Sequence, residues 1–288
     1  YKLAFKKGFT MRWQGRKQSS NVEDRRGQGS RMGGKGTGVL GIIVLLVGAY
    51  YGVDLSGIVG TPSAGLSQQS TTLNSNQEKQ LNELSRVVLA ETEATWSNYF
   101  AKHGQKYSPT NMVLYTGGTR TGCGTGQAAM GPFYCPADRK VYLDLSFYED
   151  MRKKLGASGD AAFAYVIAHE VGHHVQNLLG ILPQVNQAQQ TASKAQANAL
   201  SVQLELQADC FAGIWGGEAV AQNLMDQTDL KDAFNAAEAV GDDRLQKQAQ
   251  GYIVPDSFTH GSSAERLAWF QRGLKSGDIN QCNTFATK

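Results

Sequence analysis

The sequence predicts an α+β fold, mostly helical, with a small β element and one transmembrane helix ahead of it. Three observations carry this expectation. An uncharged run of 18 residues, Gly36 to Val53, stands near the N-terminus. Two short alternating segments, 112–116 and 141–147, flank a Gly-rich stretch at 117–131. From residue 158 onward apolar residues recur at helical spacing between Gly, Pro, Asp and Ser breaks. At 288 residues the chain has ample length for a buried core.

Taken in order, residues 1–10 precede Met11-Arg12-Trp13, which resembles a natural start, and they read as an extension. Residues 1–35 as a whole are polar, Gly-rich and basic, the composition of a disordered tail. Residues 1–60 hold 10 Lys/Arg and 3 Asp/Glu (+7), whereas 61–288 hold 18 and 22 (−4). The positive charge therefore belongs to the N-terminal segment. A nucleic-acid partner is not expected, because it would need that charge on the folded surface.

The 18-residue run would rise roughly 27 Å as a helix, near the thickness of a bilayer core. Apolar Leu55 to Gly60 extends it, so the span is placed at 36–59, with Tyr50 and Tyr51 at an interface. Arg12, Arg16, Lys17, Arg25, Arg26, Arg31 and Lys35 all precede it. The positive-inside rule then predicts a single-pass inner-membrane protein, N-terminus cytoplasmic, with the main domain outside and the lipid bilayer as a partner. A cleaved signal peptide is the competing reading, disfavoured by the long basic region before the run. Residues 60–76, rich in Ser, Thr, Gln, Asn and Gly, read as a linker, and 77–288 as the folded domain.

Within that domain, apolar residues at 81, 84, 88, 96 and 99–100 predict a helix over 77–102. After the two strands come helices at about 158–179, 193–223, 228–240 and 262–275. All four cysteines, Cys123, Cys135, Cys210 and Cys282, follow the apolar run. An even number on an exported domain suits disulfides, and no C-x-x-C pair suggests a structural metal site. Three pairings are possible. Cys123–Cys135 with Cys210–Cys282 is favoured, since the first closes the Gly-rich loop and the second ties the C-terminus to a central helix.

The chemistry concentrates in A-Y-V-I-A-H-E-V-G-H-H. His169 and His173 stand four residues apart, so on a helix their imidazoles share one face and can converge on one ion. Glu170 lies about 100° around the helix, beside such an ion and placed to take a proton from its water. Gly172 costs the helix about 1 kcal/mol relative to Ala, which suggests close approach by another segment. His174 is turned off the shared face and reads as a packing or supporting residue. A catalytic zinc site usually has three protein ligands. Position 179 is Leu, so no third His follows at short spacing. On the next long helix Glu205 and Asp209 are also four apart, amid Val202, Leu206, Phe211 and Ile214. Carboxylates in so apolar a helix need partners. Glu205 as third ligand, with Asp209 holding the free nitrogen of a ligand imidazole, would provide them.

H-E-x-G-H followed by E-x-x-x-D resembles the M48-type gluzincin peptidases, including CAAX-processing and HtpX-like proteases. The resemblance implies a zincin-like metallopeptidase domain, one zinc ion, Glu205 as ligand and Asp209 as support for a ligand His. Those enzymes also carry T-H-P-x-x-x-x-R, here Thr259-His260-Gly261 through Arg266, with Gly in place of Pro. By that similarity His260 would stabilise the oxyanion or bind substrate, and Arg266 would brace the site. Over residues 11–288 the chain is more closely similar to the bacterial neutral zinc metallopeptidase family of YpfJ-like membrane proteins. The motifs are M-R-W-Q-G-R, Y-Y-G-V-D-L, G-P-F-Y-C-P-A-D, A-H-E-V-G-H-H-V-Q and E-L-Q-A-D-C-F-A-G-I-W. The expected function is hydrolysis of a peptide or protein substrate. The rival is a zinc-stabilised, membrane-anchored binding or assembly factor, distinguished from an enzyme by a plugged site.

Overall fold

The computed structural model describes residues 11–27 and 73–286. The chain enters as an extended segment with one short strand, β1 (Val22–Asp24). Helix α1 (Ser75–Lys102) follows, then β2 (Asn111–Tyr115). The Gly-rich stretch forms a hairpin of β3 (Gly118–Thr121) and β4 (Gly124–Gln127). β5 (Phe133–Cys135) and β6 (Lys140–Asp144) complete the strands. A short helix α2 (Phe147–Asp150) runs into a π-helical turn over Met151–Leu155. Six helices close the chain: α3 (Asp160–Leu178), α4 (Ile181–Gln189), α5 (Lys194–Ala221), α6 (Gln227–Ala239), α7 (Asp242–Gln250) and α8 (Ser263–Ser276).

Local chemistry sets several of these boundaries. α1, α5, α6 and α8 each begin with a reciprocal capping box, formed by Asn74 with Gln77, Ser193 with Gln196, Asp226 with Asp229 and Ser262 with Glu265. Each box satisfies two backbone N–H groups that the first turn leaves orphaned. Strand order in the main sheet is β1-β2-β6-β5, with β1, β2 and β6 parallel and β5 antiparallel to β6. α3 packs against α1, α5 and α6 and touches β5 and β6, so it lies at the centre. α5 is buried at every position from Leu204 to Gly216, which explains why charged and amide side chains there must find internal partners.

Residues 11–27 are not a disordered tail, contrary to expectation. Met11 and Trp13 are buried in the main core, and β1 pairs in register with β2, Val22 opposite Met112. The arginines that made the segment read as solvated are matched by acids of the domain. Arg16 meets Glu91 at 3.0 Å, Arg26 meets Glu78 at 3.2 Å and Arg12 meets Asp226 at 3.4 Å. Such partly exposed pairs contribute at most about 1 kcal/mol each, so burial of Met11 and Trp13 dominates. The opposite charges of the two segments, read as a sign of separation, are complementary.

This corrects the predicted topology. The proposed transmembrane helix at 36–59, most of the linker at 60–76 and the extension at 1–10 lie outside the described residues. Among the described residues no helix is long and apolar enough to cross a membrane. Residues 11–27 also pack on the body formed by 73–286, so the two cannot stand on opposite sides of a bilayer. The single-pass placement, with a cytoplasmic N-terminus and an exported domain, is overturned. The domain also begins before Gln77: α1 starts at Ser75, and the N-terminal segment belongs to the same core.

Candidate metal centre

α3 and α5 cross at Gly172. A Cβ there would lie 3.0 Å from the carbonyl oxygen of Ala208 and 3.3 Å from its Cα, so the missing side chain lets two backbones meet. That approach sets the imidazoles of α3 against the carboxylates of α5. His169 places Nδ1 2.8 Å from Asp209 Oδ1 and Nε2 3.0 Å from Glu205 Oε2. His173 places Nε2 3.4 Å from Glu205 Oε1 and Nδ1 2.9 Å from Gln176 Oε1. One ligand atom from each of His169, His173 and Glu205 lies within 4.8 Å of the others. Two imidazoles and one carboxylate are a common catalytic zinc set, and each His has its Nδ1 engaged by a fixed partner, as metal-binding imidazoles require. The donor set therefore fits the zinc that the motif implies.

Behind the ligands Arg266 reaches from α8. Its Nε donates to Asp209 Oδ2 at 2.8 Å and its Nη2 to Asp209 Oδ1 at 3.0 Å, and the Tyr165 hydroxyl donates to the same Oδ1. All of Tyr165, Asp209 and Arg266 are buried. Burial alone would raise the Asp209 carboxyl, but Arg266 and His169 outweigh it and hold it below its ordinary value. Burial likewise opposes ionisation of Glu205, yet His173 and His169 keep it well below the usual range. Glu170 is the exception. Burial raises its carboxyl against the pull of His173 and His169, leaving it more basic than an exposed glutamate.

His260 enters the same cleft from the loop before α8. Its Nδ1 lies 3.1 Å from Asp242 Oδ1. Asp242 Oδ2 accepts from the backbone N–H groups of Thr259, His260 and Gly261, so one carboxylate shapes the whole turn. Gly261 has φ +92°, a conformation closed to proline, whose ring holds φ near −65°. The departure from T-H-P follows from this backbone. His174 is turned away from the ligands, bridging Tyr134 at 3.0 Å and the Ser108 carbonyl at 2.7 Å. Both disulfides are formed, Cys123–Cys135 and Cys210–Cys282.

His169, Glu170, His173, Glu205 and His260 line one cleft of about 560 Å³. The β3–β4 hairpin, pinned to β5 by Cys123–Cys135, forms one wall through Thr121 and Thr125. Phe147, Leu155, Val166 and Leu245 supply apolar surface. Three supporting residues were not expected from the sequence: Tyr165, Gln176 and Asp242. The first two could have been found, since they stand four before His169 and three after His173 on the same helix. Asp242 leaves no such signal, lying 18 residues from His260.

The sequence model of the family described as "Putative neutral zinc metallopeptidase" matches residues 11–285. The chain belongs to this zinc metallopeptidase family. Among curated relatives, the "Uncharacterized protein YpfJ" of Escherichia coli strain K12 is 57% identical over 285 residues, covering 96% of this chain and 99% of the relative. The "Uncharacterized protein Rv2575" of Mycobacterium tuberculosis is 38% identical over 259 residues, covering 82% of this chain and 84% of its own. No solved structure gives a significant match. For a zinc metallopeptidase family, a His-His-Glu group with His169 and Glu205 buried and His173 partly buried, beside the Glu170 carboxyl, is an arrangement that suits its chemistry.

Proposed function

We propose that the chain is a zinc-dependent endopeptidase, with His169, His173 and Glu205 holding one ion and Glu170 as general base. The observation that carries this reading is the position of Glu170. Its raised carboxyl lines the same cleft as the ligand group and has no hydrogen-bond partner among the described residues. Zinc, when bound, supplies Lewis-acid polarisation of the scissile carbonyl and lowers the pKa of attacking water. A Glu170 oxygen takes the proton from that water and passes it to the departing amide nitrogen. His260, oriented by Asp242, stabilises charge on the carbonyl oxygen. Asp209 and Arg266 keep the His169 ring in place. β5 is paired only with β6 among the described residues, and its Phe133 and Tyr134 line the cleft. An extended substrate peptide adds there as a further strand.

The open cleft supports an enzyme over a zinc-stabilised binding factor. The test is proteome-wide cleavage profiling of the wild type against Glu170→Gln, with zinc content measured on both. The variant keeps zinc and loses at least about a hundredfold in rate, the usual minimum for removing a general base. Equal cleavage by the two proteins would remove Glu170 from the mechanism, and no cleavage by zinc-loaded wild type would favour the binding factor.

A further inference from the structure

We propose that Gln176 is a positioning residue for the metal centre, and that the disulfide-anchored C-terminal turn holds it there through Gln207. The inference rests on His173 as a ligand and adds what makes its ring fit to be one.

An imidazole binds a metal only through a nitrogen that carries no proton, so the tautomer of His173 matters. Its Nδ1 faces Gln176 Oε1 at 2.9 Å. Which way that amide points is settled by Leu204, whose carbonyl only accepts and lies 2.8 Å from Gln176 Nε2. With nitrogen toward Leu204, the amide oxygen must face His173, and the ring proton must sit on Nδ1. The Nε2 lone pair is then left on the side of Glu205. The second Gln176 N–H donates to Gln207 Oε1 at 3.0 Å, and Gln207 Nε2 donates to the Cys282 carbonyl at 3.0 Å. Flipping either amide would set donor against donor or oxygen against carbonyl. Both side chains are buried, where such a mismatch costs about 1–3 kcal/mol.

The chain of hydrogen bonds thus runs His173, Gln176, Gln207, Cys282, and ends on an accepting carbonyl with a covalent anchor. Cys282 is bonded to Cys210, the neighbour of Asp209 on α5. Nearby, Thr284 Oγ1 donates to the Gln203 carbonyl at 2.6 Å and fastens the turn again. One helix, α5, therefore orients both ligand imidazoles. It holds His169 directly through Asp209, and His173 through two amides backed by the C-terminal turn.

The experiment is competition for zinc between the purified full chain and a chromophoric chelator. Gln176→Leu is expected to weaken zinc binding 10- to 100-fold, the range for lost support of a ligand. Gln207→Leu should weaken it less, and the double variant no more than Gln176→Leu alone, because the two act in series. Val175→Ala, a core truncation on the same helix, serves as control and should leave the affinity within twofold. Wild-type affinity in Gln176→Leu, or an equal loss in Val175→Ala, would overturn the assignment. Should Gln176→Leu not fold, the pair Cys210→Ser/Cys282→Ser replaces it. Zinc binding should then weaken several-fold, with no further loss on adding Gln207→Leu, and wild-type affinity would refute the anchoring. Wild type that holds zinc yet cleaves nothing refutes the peptidase and leaves this inference standing. Loss of zinc in His173→Ala but not in Gln176→Leu does the reverse.

Discussion

Asp242 binds the chain through both carboxylate oxygens, one on three successive backbone N–H groups and one on His260. Burial would raise its pKa, but His260 and those N–H groups prevail and hold it below its ordinary 3.8. A carboxyl depressed on folding adds stability that is complete above its unfolded pKa and lost as pH falls through the folded one. Asp242→Asn should therefore cost about 1–3 kcal/mol in denaturant unfolding at pH 6, a gap that narrows as the pH falls below the ordinary carboxyl value of 3.8. Under the proposed mechanism cleavage should also fall through kcat with little change in KM, since His260 would act on developing charge. At this scale the sequence was most informative. His169, Glu170, His173, Glu205 and Asp209 are recognisable because helical spacing converts position into direction. Asp242 and Gln207 carry no comparable spacing to their partners, and a glutamine gives no hint of which backbone carbonyl it will meet.

Helix α3 and helix α5 bring the candidate ligands together only because they cross closely. Gly172→Ala gains about 1 kcal/mol of helix propensity but sets a methyl against the Ala208 backbone. A helix backbone in the core cannot move aside as a flexible side chain would, and overpacking costs about 1–3 kcal/mol. Calorimetry should show a small net change in the metal-free protein, while zinc affinity falls more, because separation of the helices moves Glu205 from both histidines. An equal drop in both would show that Gly172 matters for packing alone. The long helices were legible to within about two residues because their capping boxes and breaks are local signals. α2 with its π-helical turn, α4 and α7 were not, being short and partly polar. The Gly-rich stretch concealed a hairpin, since its strands have few side chains to alternate.

Across the whole molecule the N-terminal segment was the element misread, because composition alone cannot show that its positive charges face acids far along the chain. Trp13 joins it to the metal helix, donating from Nε1 to Asp160 Oδ2 at 2.8 Å in the first turn of α3. Trp13→Ala should lower stability by roughly 3–5 kcal/mol in urea unfolding, whereas a disordered tail would give no change. The sheet adds a consequence of its own. β1 is three residues long and bears Glu23 and Asp24 beside Arg25 and Arg26, so it makes a poor template for another strand. Beneath it lies β2, whose Met112, Val113, Leu114 and Tyr115 are all buried. The segment thus covers an edge that would otherwise be open to self-association. Its removal would expose the edge of β2 to pairing with a second copy. A chain lacking residues 11–27 should scatter light in a concentration-dependent way where the intact chain does not.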